Sequence, residues 1–418
     1  MLKTILLFLT IGMCTLDCPA QIGPDITSWI QNTTGATGYG GIETNVQLVQ
    51  YDVSDVFISA TCIPGYSIGP WMGSPAIPSN QNFVFDIPRH PLHNTGVATT
   101  VGGGHTGIFI NGVSMFSAID AHSYNNLGKW QQNGYFFEYP SFDSCLGHPQ
   151  EMGEYHHHVS PRCLYTVTDS SHHSPVIGYA FDGFPVYGAY GYTNTDGTGV
   201  IKRMVSSYLL RSGMTIRDSL PDGTALATAY YGPAISDSFP LGAYVQDYTY
   251  VTGAGDLDDH NGRYCITPEY PGGTYAYFVT IDASFKPVYP YILGLTYYGI
   301  VKPGDVDSAR WHGSGHFVVT DSVDTYTTSV AAVLVNKFSI VLYPNPVSDY
   351  LHFFIQPIAS NNFTAMLINE AGTTVLRQKN VQPTITYTMD VTKLPAGEYI
   401  LYIQNQKFSY THKIGITR

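Results

Sequence analysis

The chain is 418 residues long and 44% hydrophobic, with only 12% charged residues and a formal net charge of −12. With no Lys/Arg cluster anywhere, that balance excludes nucleic acid and anionic membrane surfaces as main partners, because both are held by basic patches. The length permits a large core and, at roughly 150 residues per domain, two or three domains. The 33 tyrosines and 42 glycines favour half-buried strands joined by tight turns, so the expected class is mainly β.

Residues 1–21 read as a secretory signal peptide: a basic start at Lys3, an apolar stretch over 4–13, and small residues in "CPAQ" at 18–21. No later run reaches about 18 apolar residues, so no transmembrane helix is expected. Removal of the signal would take Cys14 and Cys18 and leave Cys62, Cys145, Cys163 and Cys265. An even number of cysteines in an exported chain reads as two disulfides. Three connectivities are open. Cys145–Cys163 with Cys62–Cys265 is favoured, because the first pair brackets a histidine run at short separation. Closing a loop of that size stabilises by roughly 3 kcal/mol. Four free buried thiols are the alternative.

Residues 22–320 read as one β-rich domain. "VQLVQYDVSDVFISA" (46–60) is strand-like, and "GGTYAYFVTID" (272–282) alternates Tyr275, Tyr277 and Val279 with Ala276, Phe278 and Thr280. "IKRMVSSYLLRSGM" (201–214) suggests a short helix. "DSVDTYTTSVAAVLVNK" (321–337) suggests a linker. Beyond it, residues 338–418 contain several short strands, two of them separated by "YPNPVSD", whose prolines belong between strands or at an edge. The expected architecture is a large disulfide-stapled β-rich domain followed by a small C-terminal β-sandwich.

The "LYPNP", "LPAGEYILYI" and "HKIGITR" runs together resemble the C-terminal sorting domain of type IX secretion cargo. The resemblance covers 338–418. It implies a secreted or surface-attached protein of a Bacteroidetes-type bacterium, the type IX machinery as partner, and proteolytic removal of the domain.

The middle of the chain gathers histidines. "GHTGIFINGVSMF" holds His105, "FDSCLGHP" holds Asp143, Cys145 and His148, and "GEYHHHVSPRCL" holds Tyr155, His156, His157, His158 and Cys163. "HHSPVIGYAFDGFPVYGAYG" follows with His172, His173 and Asp182, then "NGRYCITPEYPGGTYAYF". This ordered set resembles the YHYH family over about 85–300. Its Tyr-His-Tyr-His string falls on Tyr155-His156-His157-His158, with His157 departing from the pattern. The resemblance brings no settled activity with it.

The residues carry their own chemistry. In a strand His156 and His158 share one face, and Tyr155 and His157 the other. Two imidazoles so spaced suit one copper or zinc ion. His148 is the first candidate for a third ligand, then His173, then His105. Asp143 or Asp182 could ligate directly or accept an imidazole N–H, with Tyr155 beside them. The alternatives are a metal-free catalytic or ligand-binding pair and a structural histidine network. HExxH, GxSxG, P-loop and Cys-x-x-Cys patterns are absent, and residues 256–267 fail the EF-hand spacing at Asn261 and Thr267. Two function classes follow: a secreted metal-binding protein, or a non-catalytic binding or structural protein facing carbohydrate or matrix.

Overall fold

The run 46–60 folds as two antiparallel strands, Val46–Tyr51 and Asp55–Ala60. Between them the Asp52 carboxylate accepts the Ser54 and Asp55 N–H groups at 2.7 and 2.8 Å, which closes the turn. Phe83–Pro88 extends this sheet on one side and Asp324–Tyr326 on the other. The computed structural model describes residues 22–74, 76–303, 315–320, 322–327, 340–355, 363–369, 372–382, 386–404 and 409–417. The expected signal peptide at 1–21 lies outside the described residues. The chain divides into two compact units, 1–327 and 328–418.

The first unit is built on an eight-stranded sheet. Its spatial order is Gly262–Cys265, Thr274–Phe278, Pro185–Tyr187, Val176–Ala180, His105–Phe109, Ser114–Phe116, Tyr155–His157 and His148–Pro149. Two neighbouring pairs are parallel, Pro185–Tyr187 with Thr274–Phe278 and Ser114–Phe116 with Tyr155–His157. The Thr274–Phe278 strand, expected from its alternation, is buried at every position. Tyr275 stacks on Tyr298 at 3.6 Å, and Tyr277 donates its hydroxyl hydrogen to Asp182 at 2.6 Å. Phe85, Ile108, Phe109, Met115, Ile177 and Tyr179 lie in the hydrophobic core.

Three expectations are corrected here. Residues 201–214 are not helical: Ile201–Arg203 pairs with Tyr190–Tyr192, and Tyr208–Leu210 pairs with Tyr248–Tyr250. Ser206 Oγ accepts the Tyr208 N–H locally, in competition with helical bonding, and Ser207 Oγ donates to the distant Leu257 O, tying the segment into the fold. The expected linker begins as structure, because Asp324–Tyr326 pairs with Val49–Tyr51; 328–337 lies outside the described residues. Cys145 and Cys163 are bridged, but Cys62 and Cys265 are free and buried. Cys62 packs on Ser114 and donates to Tyr155 O, whereas Cys265 ends the strand five positions away across the sheet. At about 4.8 Å per strand that separation is roughly 24 Å, far beyond disulfide reach.

The second unit is a β-sandwich. One sheet contains Ile340–Tyr343, Tyr350–Ile355 and Tyr387–Asp390; the other contains Thr374–Val381, Phe363–Asn369, Gly397–Gln404 and Ser409–Ile416. Leu351, Phe353, Leu367, Leu401 and Ile414 fill its core.

Candidate metal centre

The strand Tyr155–His157 lies beside two-residue His148–Pro149, the outermost strand of the eight-stranded sheet. Their antiparallel register sets His148 directly opposite His156, and directly opposed residues share a face. Their ring centroids are 4.4 Å apart. His158, two residues on, returns to that face, with its ring 4.9 Å from His156. The fourth member, Glu138, ends the short helix Gly134–Glu138, whose start is capped by Asn133 accepting Tyr135 N–H. At Gly134 a Cβ would lie 2.9 Å from His158 Nδ1, so only glycine lets that ring in.

The ligand atoms of Glu138, His148, His156 and His158 all lie within 4.8 Å of one another. His156 Nε2 is 3.2 Å from His158 Nε2. Glu138 Oε2 is 2.7 Å from His158 Nε2 and 3.3 Å from His148 Nε2. A tetrahedral ion with bonds near 2.0–2.1 Å places its ligand atoms about 3.3 Å apart, so the spacing fits one ion.

The opposite edge of each ring is already engaged. His158 Nδ1 donates to Ser117 O at 2.6 Å and His156 Nδ1 to Glu154 O at 3.2 Å. Ser141 Oγ donates to Glu138 O at 2.7 Å, so it accepts from His148 Nδ1, 2.9 Å away. Acceptors at all three Nδ1 atoms put the hydrogen there and leave each neutral ring with a bare Nε2 lone pair. Three lone pairs and a carboxylate thus converge on one point. Glu138 Oε2 and His148 Nε2 are buried without a hydrogen bond of proper geometry. Such a convergence repels itself unless a cation, metal or proton, lies within it.

The titration directions agree. Burial pushes His156 well below the usual imidazole range, with His148 and His158 adding to the effect, and burial lowers His148 too. At His158 burial also acts downward, but the Glu138 carboxylate outweighs it and the group is raised. Burial opposes ionisation of Glu138, yet the His158 and His148 charges hold its carboxyl far below its usual range. Beside it Asp120 is raised to about 7, by burial first and then by the Glu138 charge. Of the three imidazoles, His158 is therefore the one that takes up a proton most readily.

Aromatic rings wall the cluster. Phe116 stacks on His156 at 3.9 Å, and Phe142 lies parallel to His158 at 6.3 Å and 4.8 Å from His148. The three imidazoles are buried, and the Glu138 side chain, 24% exposed, is the member that reaches solvent.

The remaining sequence candidates lie elsewhere. His105 pairs with Glu154, both buried, and Gln150 donates to the same carboxylate. His173 donates from Nδ1 to Ser174 O and packs on Tyr187, Tyr192 and Phe278. His157 faces away from the cluster as expected but is buried, donating to Leu146 O and bonded to Tyr66. Asp143 accepts from Tyr155 Oη and the N–H groups of Gly69, Cys145 and Gly147; Asp182 accepts from Tyr277 Oη and the N–H groups of Phe184 and Gly299. Both aspartates organise loops, and the acceptors behind the three clustered imidazoles are Ser117, Ser141 and Glu154 instead. Sequence reasoning missed Glu138, whose one signal is a lone acid inside the aromatic run "YFFEYP".

Residues 84–289 match the family model described as YHYH protein, and residues 341–417 match the secretion system C-terminal sorting domain. No curated protein sequence matches the chain.

Proposed function

From a chain that joins a YHYH segment to a type IX sorting domain, and is therefore secreted or attached to the cell surface, we propose a metal-binding function. The ion is held by His148, His156, His158 and Glu138. The observation that carries this reading is the convergence of the Glu138 carboxylate with the Nε2 atoms of three imidazoles, each already fixed by an acceptor at Nδ1. A nitrogen and oxygen donor set in an oxidising compartment suits copper or zinc. Four protein donors and walls of Phe116 and Phe142 resemble a closed site, which favours a structural ion over one with an open coordination position.

Elemental analysis of protein purified without a histidine tag tests the reading. Wild type is expected to carry about one equivalent of copper or zinc, lost in His156→Ala/His158→Ala. Electron paramagnetic resonance then separates Cu²⁺ from Zn²⁺. Equal trace metal in both proteins would leave the second reading, a non-catalytic protein with a structural histidine network. The His158–Glu138 ion pair supports that reading, since it satisfies part of the cluster with a proton alone.

A further inference from the structure

The three imidazoles share one covalent feature. His148, His156 and His158 all lie inside the ring closed by Cys145–Cys163, a separation of 18 residues. His148 is carried on a two-residue edge strand paired only with Tyr155–His157. Near one anchor, Asp143 gathers the Gly69, Cys145 and Gly147 N–H groups, and Leu146 O takes His157 Nδ1–H. Near the other, the chain turns within a few residues of His158, where Ser160 Oγ meets Tyr165 Oη at 2.8 Å. Cys145 is buried, but Cys163 is exposed. Cys163 is therefore the side of the bridge from which a reductant would approach.

We infer that oxidation of Cys145 and Cys163 licenses metal loading of this centre, so that the chain takes up its ion only after export. The inference rests on the metal reading above. Synthesis occurs in a reducing compartment and the sorting domain sends the chain to an oxidising one. In the reduced chain the segment carrying all three imidazoles is tethered only by non-covalent contacts, and the ligands must be gathered when the ion binds. Closing the bridge does part of that gathering in advance. The two thiols give up two protons and two electrons, a sulfur–sulfur bond forms, and a protein disulfide of the exported compartment accepts the electrons to become a dithiol. Opening reverses this. One thiolate of a dithiol attacks Cys163 Sγ and Cys145 leaves as a thiolate that takes a proton; the dithiol's second thiolate then attacks its own sulfur in the mixed disulfide, Cys163 leaves as a thiolate that takes a proton, and the reductant ends as a disulfide.

The chain entropy of a ring this size is equivalent to roughly a hundredfold in binding. Coupling is reciprocal, so the ion must protect the bridge by the same factor.

The test uses the tag-free mature chain, with Zn²⁺ as the probe. Affinity is measured by chelator competition on three preparations: oxidised wild type, wild type reduced anaerobically with a phosphine and desalted, and Cys145→Ser/Cys163→Ser. The oxidised protein is expected to bind one equivalent, and the two open forms to bind roughly a hundredfold more weakly. The redox midpoint of the bridge, titrated against dithiol buffers with and without Zn²⁺, is expected to fall by about 60 mV on loading. This second measurement decides the matter if the serine variant does not fold. Affinities within threefold between open and closed forms, or a midpoint that Zn²⁺ does not move, overturn the inference while leaving the metal reading intact. No binding by oxidised wild type overturns the metal reading itself.

Discussion

At the scale of single residues, the proposed centre depends on side chains outside its ligand set. Ser141 shows this best. Its hydroxyl is committed as a donor to Glu138 O, so it can only accept from His148, which fixes the tautomer that exposes Nε2. Ser141→Ala removes that acceptor and leaves the ring free to rotate or to change tautomer. Losing such an outer partner typically weakens metal affinity by about 10–100-fold. Chelator competition on the variant should show a loss in that range. Unaltered affinity would mean that His148 is oriented by packing against Phe142 alone.

The elements explain which parts of the site were legible in the sequence. The alternation of strand side chains separated His156 and His158 from His157, and the structure keeps that division. The place of His148 was harder to read, since it depends on a cross-strand register that local sequence does not encode. Glu138 sits on a helix too short to show a period, and the acceptors for two imidazoles are backbone carbonyls, which any residue can supply. The Cys62–Cys265 pairing followed from counting cysteines and failed because Cys62 packs against Ser114 and Tyr155, whereas Cys265 ends a strand at the opposite edge of that sheet. The strand Tyr155–His157 also makes a pH prediction. His157 ordinarily titrates at 6.5, and burial lowers it to about 4. Between those values the unfolded chain binds the extra proton, so this contribution is complete above about pH 6.5 and is lost as pH falls toward 4. His148 and His156 act in the same direction; His158, raised beside Glu138, offsets part of the loss. Urea midpoints of the metal-free protein should therefore fall between pH 7 and pH 4.5. A flat profile would show that these rings are solvated rather than buried.

On the scale of the whole molecule, two large hydrophobic cores divide the work among the described residues, beside a smaller cluster around Trp130 and Tyr244. One packs around the eight-stranded sheet and includes Tyr155, Phe109 and Met115; the other fills the sandwich with Leu351, Leu367 and Leu401. They share no residue, so calorimetry should resolve two unfolding transitions, of which Zn²⁺ raises only the one belonging to the first unit. Equal shifts in both, or a single transition, would contradict separate cores. The sandwich was largely legible, because its strands alternate around turn residues and its sorting motifs are local. The large unit was legible as a class but not as a topology, because its sheet joins strands more than 150 residues apart, His105–Phe109 and Gly262–Cys265 among them.

The proposed function rests on one ion held by three imidazoles and one carboxylate. X-ray absorption of the metal-loaded, tag-free protein measures that shell directly. It should show four nitrogen or oxygen neighbours at about 2.0–2.1 Å, with the multiple scattering of three histidine rings, and one ring fewer in His148→Ala. A shell containing sulfur, an all-oxygen shell, or a His148→Ala spectrum identical to wild type would contradict it.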